Sequence, residues 1–467
     1  MRISINTKIN TLALTLLCLL ASLPLNTQAQ SIAGIAARGY IYGLPLVLMG
    51  ETLDGLTGPA RSCKLGTDLN TFANVFDRPD ASFKAVVRPN VDTLYSSAML
   101  DLSAGPQLLT MPAVQGRYVL MAFLDAWSNN FAGVGTQNQG DLEGRYVIVG
   151  PHWNGPLPDG YVRIDAPTNL VWIIGRTELK SDEDIPTVNA IQRQYRLTPW
   201  AHENQASGID SCVPESQKTP PVDVVTSLSA IDFFSRLSEL MKRYPPPAAD
   251  ADMVAMLGKI GVGPKATISL DDLSPAQKKA LAMGQYGARR VLKFSTRLLG
   301  LTGWGPNPAL IPLGDYGKRY FIRAVVAMVG FGANQGKFAV YQNADRDSHD
   351  RRLDGHSVYT LTFPADALPP VKAFWSLTVY GDDGFLRDNP AAAALGFQRY
   401  AVGSNTGLAT NPDGSVTLYM ADTLPEGIPQ ANWLPTPDAR FQVTIRLYDP
   451  DESILEHRWK VPPIIRQ

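Results

Sequence analysis

The chain has 467 residues, 45% of them apolar and 18% charged, with 39 glycines and 36 prolines that require many turns. Its 42 basic and 43 acidic residues nearly cancel, so no overall field draws it to nucleic acid or to an acidic membrane surface. The length exceeds what one hydrophobic core usually organises, which implies two or three domains.

Arg2 and Lys8 precede an apolar run, Leu12 to Leu20, that is too short to span a bilayer. Pro24 breaks the run, and Thr27-Gln28-Ala29 offers small residues where a signal peptidase inspects the chain. This is the pattern of a secretory leader cleaved after Ala29, with a periplasmic or secreted destination. Thr15-Leu16-Leu17 lacks the small residue that lipid attachment at Cys18 requires, so Cys18 leaves with the leader. Cys63 and Cys212 remain, in no metal or redox spacing; the alternatives are a disulfide, which such a compartment permits, and two buried thiols. No later segment is expected to reach the apolar length of a membrane span, and no repeat is visible.

From Ser31 to about Asp54, Ile35, Tyr40, Leu44, Leu46 and Leu48 among small residues predict a mainly helical opening that Pro45 disturbs. Short β-branched and aromatic runs follow at Thr93 to Leu102, Arg117 to Leu124, Arg145 to Val149, Tyr161 to Ile164 and Val171 to Leu179. Without intervening helices they pack best as two antiparallel sheets, an immunoglobulin-like sandwich. The middle is helical: Ile231, Phe234, Leu237 and Met241 recur at helical spacing. Ser274, Pro275 and Gln277 form a capping box, Gly300 suits that helix's far end, and a third helix is expected over Lys318 to Met328. Strands return at Val358 to Phe363, Ala373 to Tyr380, Val416 to Ala421 and Phe441 to Tyr448, the third entered through the Asn411-Pro412-Asp413-Gly414 turn, as in a second, jelly-roll-like sandwich. The expected plan is therefore mainly β: a leader (1–29), an N-terminal helix and sandwich (30–221), a helical module (222–334) and a C-terminal sandwich (335–467).

Particular strings carry a resemblance. Val87-Arg88-Pro89-Asn90-Val91-Asp92-Thr93-Leu94-Tyr95-Ser96-Ser97 stands in the first sandwich. Leu353-Asp354-Gly355, Phe374-Trp375-Ser376-Leu377-Thr378, Asp413-Gly414-Ser415 and Asn432-Trp433-Leu434-Pro435 follow in the second. Together they resemble an exported bacterial family with domain of unknown function 1254 in its N-terminal half and domain of unknown function 1214 in its C-terminal half. The resemblance implies two β-sandwiches with an intervening helical domain and an envelope or exported location. It implies no settled activity.

Four groups of residues are candidates for chemistry. Arg88, Asn90, Asp92 and Tyr95 put a cation, an amide, a carboxylate and a phenol at a sandwich end, where loops gather; the alternative is an Arg88–Asp92 ion pair with Asn90 closing an Asx-turn. Asp125, Trp127 and Asn129, with Arg117 before their strand, suit a sugar-like ring, although Trp127 is also a natural core or lid residue. Asp345, Asp347, Asp350 and Asp354 with His349 and His356 match no metal spacing, and Arg346, Arg351 and Arg352 are placed to neutralise them; no metal and no cofactor is expected. Arg323, Asn334, Tyr341, Trp375, Asn389 and Arg399 can face the N-terminal sandwich across a cleft or simply form an interface.

There is no Gly-x-Ser-x-Gly elbow, no phosphate loop and no dinucleotide fingerprint, which disfavours serine-elbow hydrolases, nucleotide enzymes and nicotinamide dehydrogenases. Two acids from distant strands need no local motif, so carboxylate-dependent hydrolysis through Asp92 and Asp125 survives. The expectation is an exported protein that holds a small polar or glycan-like molecule with Arg88, Asn90, Tyr95, Arg117, Trp127, Asn129, Arg323, Asn334 and Trp375. The alternative is a non-catalytic envelope protein that presents a surface or strand edge to a partner.

Overall fold

The computed structural model describes residues 31–83, 87–200, 212–213, 218–266, 270–298, 304–305, 311 and 313–467. The leader with its cleavage point, and the helix end expected at Gly300, lie outside them. The opening helix, α1 (Ile32–Thr57), starts where the Ser31 hydroxyl accepts from Gly34 N at 3.1 Å and runs straight through Pro45. With 26 residues and a mean hydropathy of 1.5 it is long and apolar enough to cross a membrane, contrary to the expectation that no segment after the leader would be. Its apolar residues are instead covered from several sides by α2 (Pro221–Ser227), α3 (Ala230–Arg243), α4 (Ala251–Gly258), α5 (Pro275–Leu298) and α6 (Tyr320–Gly330). Packing of this kind outweighs the single hydrogen bond that a proline removes.

Glycine makes that packing close. Leu257, Leu237 and Leu240 fill the space where side chains on Gly39, Gly43 and Gly50 would stand. Ser229 caps α3, accepting from Asp232 N at 3.2 Å, and Phe233, Phe234, Leu237, Leu240 and Met241 form its buried face. The expected capping box of α5 is present: Ser274 N donates to Gln277 Oε1 at 2.9 Å and Gln277 N to Ser274 Oγ at 3.4 Å.

The N-terminal sandwich is built from β1 (Ala73–Asn74), β2 (Thr93–Asp101), β3 (Gln107–Met111), β4 (Val119–Asp125), β5 (Asn130–Gly135), β6 (Gly144–Val149), β7 (Val162–Asp165), β8 (Leu170–Glu178) and β9 (Arg196–Pro199). One sheet has the order β1-β2-β8-β4-β5 and is antiparallel throughout; the other, β7-β6-β3-β9, contains one parallel pair, β6 with β7. Ala98, Leu100, Met121, Phe123 and Ile173 fill the space between them. The outer face of the five-stranded sheet is buried too. Met99, Leu124 and Ile174 pack under the helices, and Leu120 and Ala122 meet Phe338, Phe374 and Tyr448 of the C-terminal domain.

That domain comprises β10 (Ala339–Ala344), β11 (Tyr359–Phe363), β12 (Trp375–Gly381), β13 (Ala401–Gly403), β14 (Val416–Ala421), β15 (Trp433–Pro435), β16 (Phe441–Tyr448) and β17 (Ile465–Arg466). Its sheets are β10-β16-β12-β13, antiparallel, and β15-β14-β11-β17, with β14 and β15 parallel. The mainly β plan with a helical module is the observed one. Cys63 and Cys212 form a disulfide that ties the segment after α1 to a point 149 residues later, beside a short Ser62–Val213 bridge.

Candidate functional site

The strand β16 reads Phe-Gln-Val-Thr-Ile-Arg-Leu-Tyr, a period of two. Val443, Ile445 and Leu447 enter the sandwich core, so Gln442, Thr444, Arg446 and Tyr448 share the opposite face. The pairing register puts Arg446 between Tyr341 and Ser376, and Thr444 between Asn343 and Thr378, on that same face. Such a face is ordinarily wet. Here every residue of β12 and β16 is buried, because the loop leading into β2 and the outer face of the N-terminal sheet lie over it. A buried polar layer must satisfy its own donors and acceptors, and its bonds define the site.

Asn90 closes an Asx-turn, accepting from Asp92 N at 2.7 Å, and its amide donates to the Tyr448 hydroxyl at 3.0 Å. Tyr448 donates to Asp92 Oδ2 at 2.9 Å, and Ser376 Oγ donates to the same oxygen at 2.5 Å. Arg446 donates to Thr378 Oγ1 and Tyr380 Oη, both at 2.7 Å, and to the Arg88 carbonyl at 3.1 Å; Tyr380 passes a hydrogen bond on to the Pro89 carbonyl at 2.7 Å. Arg88 turns away from Asp92, which overturns the ion pair weighed for it, and its Nε donates to Gln442 Oε1 at 2.9 Å. The Arg88 backbone is in the left-handed region (φ 54°), held by its N–H on the Gly384 carbonyl. Burial, with Asp92 next, holds the Tyr448 phenol far above its ordinary pKa, so this tyrosine is a fixed donor.

Arg176 on β8 occupies the neighbouring part of the layer. Its Nη1 donates to Asn334 Oδ1 at 3.0 Å, its guanidinium lies 5.2 Å from the Tyr95 ring centre, and Asn334 Nδ2 reaches the Tyr341 hydroxyl at 3.4 Å. Arg176 Nε has no partner among the described residues. Burial pushes the Tyr341 phenol upward, against the pull of Arg176. Tyr95 and Tyr341 are only half-buried, whereas Arg176 is 6% exposed.

A second polar cluster forms where the β4–β5 turn meets the helices. Asp125 Oδ1 accepts from Trp127 N and Asn129 N, each at 2.9 Å, and Asn129 Nδ2 donates to Oδ2 at 2.9 Å. Burial raises the pKa of this carboxyl despite those bonds. Arg323, 1% exposed, sits among the rings of Tyr42, Trp127 and Tyr320 at 5.4 to 5.5 Å, and both phenols donate to Asp250. Trp127 is a core residue here, its ring tilted against that of Tyr42 with centres 4.9 Å apart.

The two aspartates expected to act together stand apart. Asp125 is opposite Val171, which is opposite Leu100, so eight residues of strand separate it from Asp92. That is roughly 25 Å at the rise of a β-strand, against about 5–10 Å for a working carboxylate pair. Arg117 is held by Asp184 at 2.6 and 2.8 Å. Trp375 faces the C-terminal core, 4.9 Å from the Phe363 ring centre. Asn389 caps a short helix and ties down two backbone carbonyls, and Arg399 donates to those of Gln430 and Trp433. In the loop at 345–356, Asp347 pairs with Arg351 and Asp345 with Arg352, and Asp354 accepts from His356. The structure thus brings together Arg88, Asn90, Asp92, Tyr95 and Asn334, and separately Asp125, Trp127, Asn129 and Arg323. It adds Arg176, Ser376, Tyr380, Arg446 and Tyr448. The polar alternation of β16 was the available signal for the last of these, but alternation does not distinguish a wet face from one buried by a second domain.

One solved structure shares this architecture. The VPA0106 protein from Vibrio parahaemolyticus superposes with a TM-score of 0.70 over 94% of this chain and 100% of its own, at 22% identity. An uncharacterized protein from Burkholderia cenocepacia gives 0.42 over 92% and 89%, at 14% identity. No curated protein matches the chain. Family models described as proteins of unknown function match residues 69–199 (DUF1254) and 338–452 (DUF1214), one on each sandwich, and the chain belongs to the family that joins these two domains.

Proposed function

We propose that this protein works outside the cytoplasm and binds a small, hydroxyl-bearing organic anion at the polar layer between its two sandwiches, with Arg176 as the primary anchor. The observation that carries the reading is a pair of buried guanidiniums, Arg176 and Arg446, neither in an ion pair among the described residues. Buried charges are normally paired, and a guanidinium fork matches a carboxylate or phosphate. Arg176 Nε–H has no partner among the described residues, and the half-buried Tyr95 and Tyr341 stand beside it, so a ligand arriving past these rings meets a cation, two phenols and the Asn334 amide. The leader sequence and the disulfide support the location.

Asp92 accepts two hydroxyl donors and the phenols are held protonated, which favours binding over acid–base hydrolysis. The test is titration calorimetry with small hydroxy-acids, acidic sugars and sugar phosphates beside their neutral counterparts. Anions are expected to bind and neutral sugars not, with binding abolished in Arg176→Gln. Binding of neutral sugars alone, or anion binding unchanged in Arg176→Gln, refutes the reading.

A further inference from the structure

Helix α5 carries a feature unrelated to the polar layer. Between Pro275 and Leu298 the sequence places Lys278, Lys279, Arg289, Arg290, Lys293 and Arg297 and not one aspartate or glutamate. The chain as a whole is balanced, so this is a local field that the net charge conceals. One face of the helix is fixed: Leu281, Gly284, Gln285, Ala288, Leu292 and Ser295 are buried, and Gly284 lies against the backbone of Ala33 in α1.

Among the described residues the opposite face is exposed. Met283 and Tyr286 are 62% exposed and Phe294 57%, and with Lys279 and Arg290 they recur at three- and four-residue intervals, one stripe of a 3.6-residue helix. Lys293 flanks the stripe, and the Arg290 guanidinium rests 5.8 Å from the Tyr286 ring centre. Large apolar groups interleaved with cations, on a helix already held in place by its other face, match the boundary between lipid headgroups and acyl chains. A second copy of the chain is a poor occupant, since a two-fold contact would set the two sets of cations against each other.

We propose that the outer face of α5 docks this protein on an anionic phospholipid surface, with Met283, Tyr286 and Phe294 entering the interface and Lys279, Arg290 and Lys293 meeting the headgroups. The test is co-sedimentation of the intact protein with vesicles of phosphatidylcholine alone and of phosphatidylcholine mixed equally with phosphatidylglycerol. Binding is expected on the mixed vesicles only, and is expected to weaken as salt rises. Each neutralised cation should cost on the order of fivefold in partitioning, and Lys279→Glu/Arg290→Glu/Lys293→Glu should abolish it. Met283→Ser/Phe294→Ser, which touches only exposed groups, should also release the protein while its melting curve stays in place. Equal partitioning on both vesicles, or binding unaffected by either variant, overturns the proposal. So does a concentration-dependent doubling of mass in light scattering that Met283→Ser/Phe294→Ser removes, since that would assign the face to a second copy.

Discussion

The Tyr448 hydroxyl donates to Asp92 Oδ2 across the boundary between the two sandwiches, 356 residues apart in sequence and 2.9 Å apart in space. Ser376 Oγ reaches the same oxygen, so two hydroxyls of the C-terminal domain converge on one carboxylate of the N-terminal domain. A hydrogen bond to a charged group in a buried setting contributes more than a neutral one, and leaving such a carboxylate short of donors costs more still. This junction therefore acts as a clasp between the domains.

Tyr448→Phe keeps the ring packed against Phe374, whose centre lies 4.2 Å away, and removes only the hydroxyl. The loss expected in a denaturant titration is about 1.5–3 kcal/mol. In a double-mutant cycle with Asp92→Asn the two changes should be coupled by about 0.5–3 kcal/mol. Strict additivity would mean that the contact contributes nothing.

The disulfide constrains a long loop. Cys63→Ser should lower stability by about 2–5 kcal/mol, and reductant should bring the wild type to the same melting point as the variant. Thiol titration of the unfolded wild-type protein should find neither Cys63 nor Cys212 free.

Burial raises the Asp125 carboxyl above its ordinary pKa, so the folded chain keeps this proton at pH values where the unfolded chain has released it. Between the unfolded value of about 3.9 and the folded one, the native state binds more protons, and this group makes stability fall as pH rises. The penalty is absent below that window and complete above it. Asp125→Asn retains an oxygen for the Trp127 and Asn129 N–H groups and removes the titration. Wild type should accordingly gain stability relative to Asp125→Asn as pH is lowered through the window, measured by urea titration at successive pH values. The opposite slope would mean that Arg323 stabilises the carboxylate more than burial penalises it.

Much of this fold is legible in the sequence because local rules agree with it. Ser274 and Gln277 announce the start of α5, Gly414 stands at φ 81° in the turn before β14, and the alternation of β2 places Ala98 and Leu100 inside. The site is legible only in part. Asn90 and Asp92 are visible as a turn with a carboxylate, but Asp92 takes its meaning from Tyr448 and Ser376, which no local pattern connects to it. Arg176 follows the apolar stretch Leu170 to Ile174 of β8, and no local pattern distinguishes it from an arginine facing water. The apolar length of α1 is hidden in the sequence for the converse reason: its glycines and alanines dilute the run, although they are what lets the neighbouring helices approach.

That close approach yields a prediction with two opposing halves. A methyl group on Gly43 would stand inside the Leu237 side chain, which is itself wholly buried, so Gly43→Ala overpacks the helical core and should cost about 1–3 kcal/mol. Leu237→Ala empties the same space and should cost about 2–5 kcal/mol. Because the new methyl occupies part of what the leucine vacates, the double variant Gly43→Ala/Leu237→Ala should lose less than the two costs added together, with a coupling of about 0.5–3 kcal/mol. Costs that simply add, measured by chemical denaturation of all four proteins, would mean that α1 and α3 are not in contact at these residues.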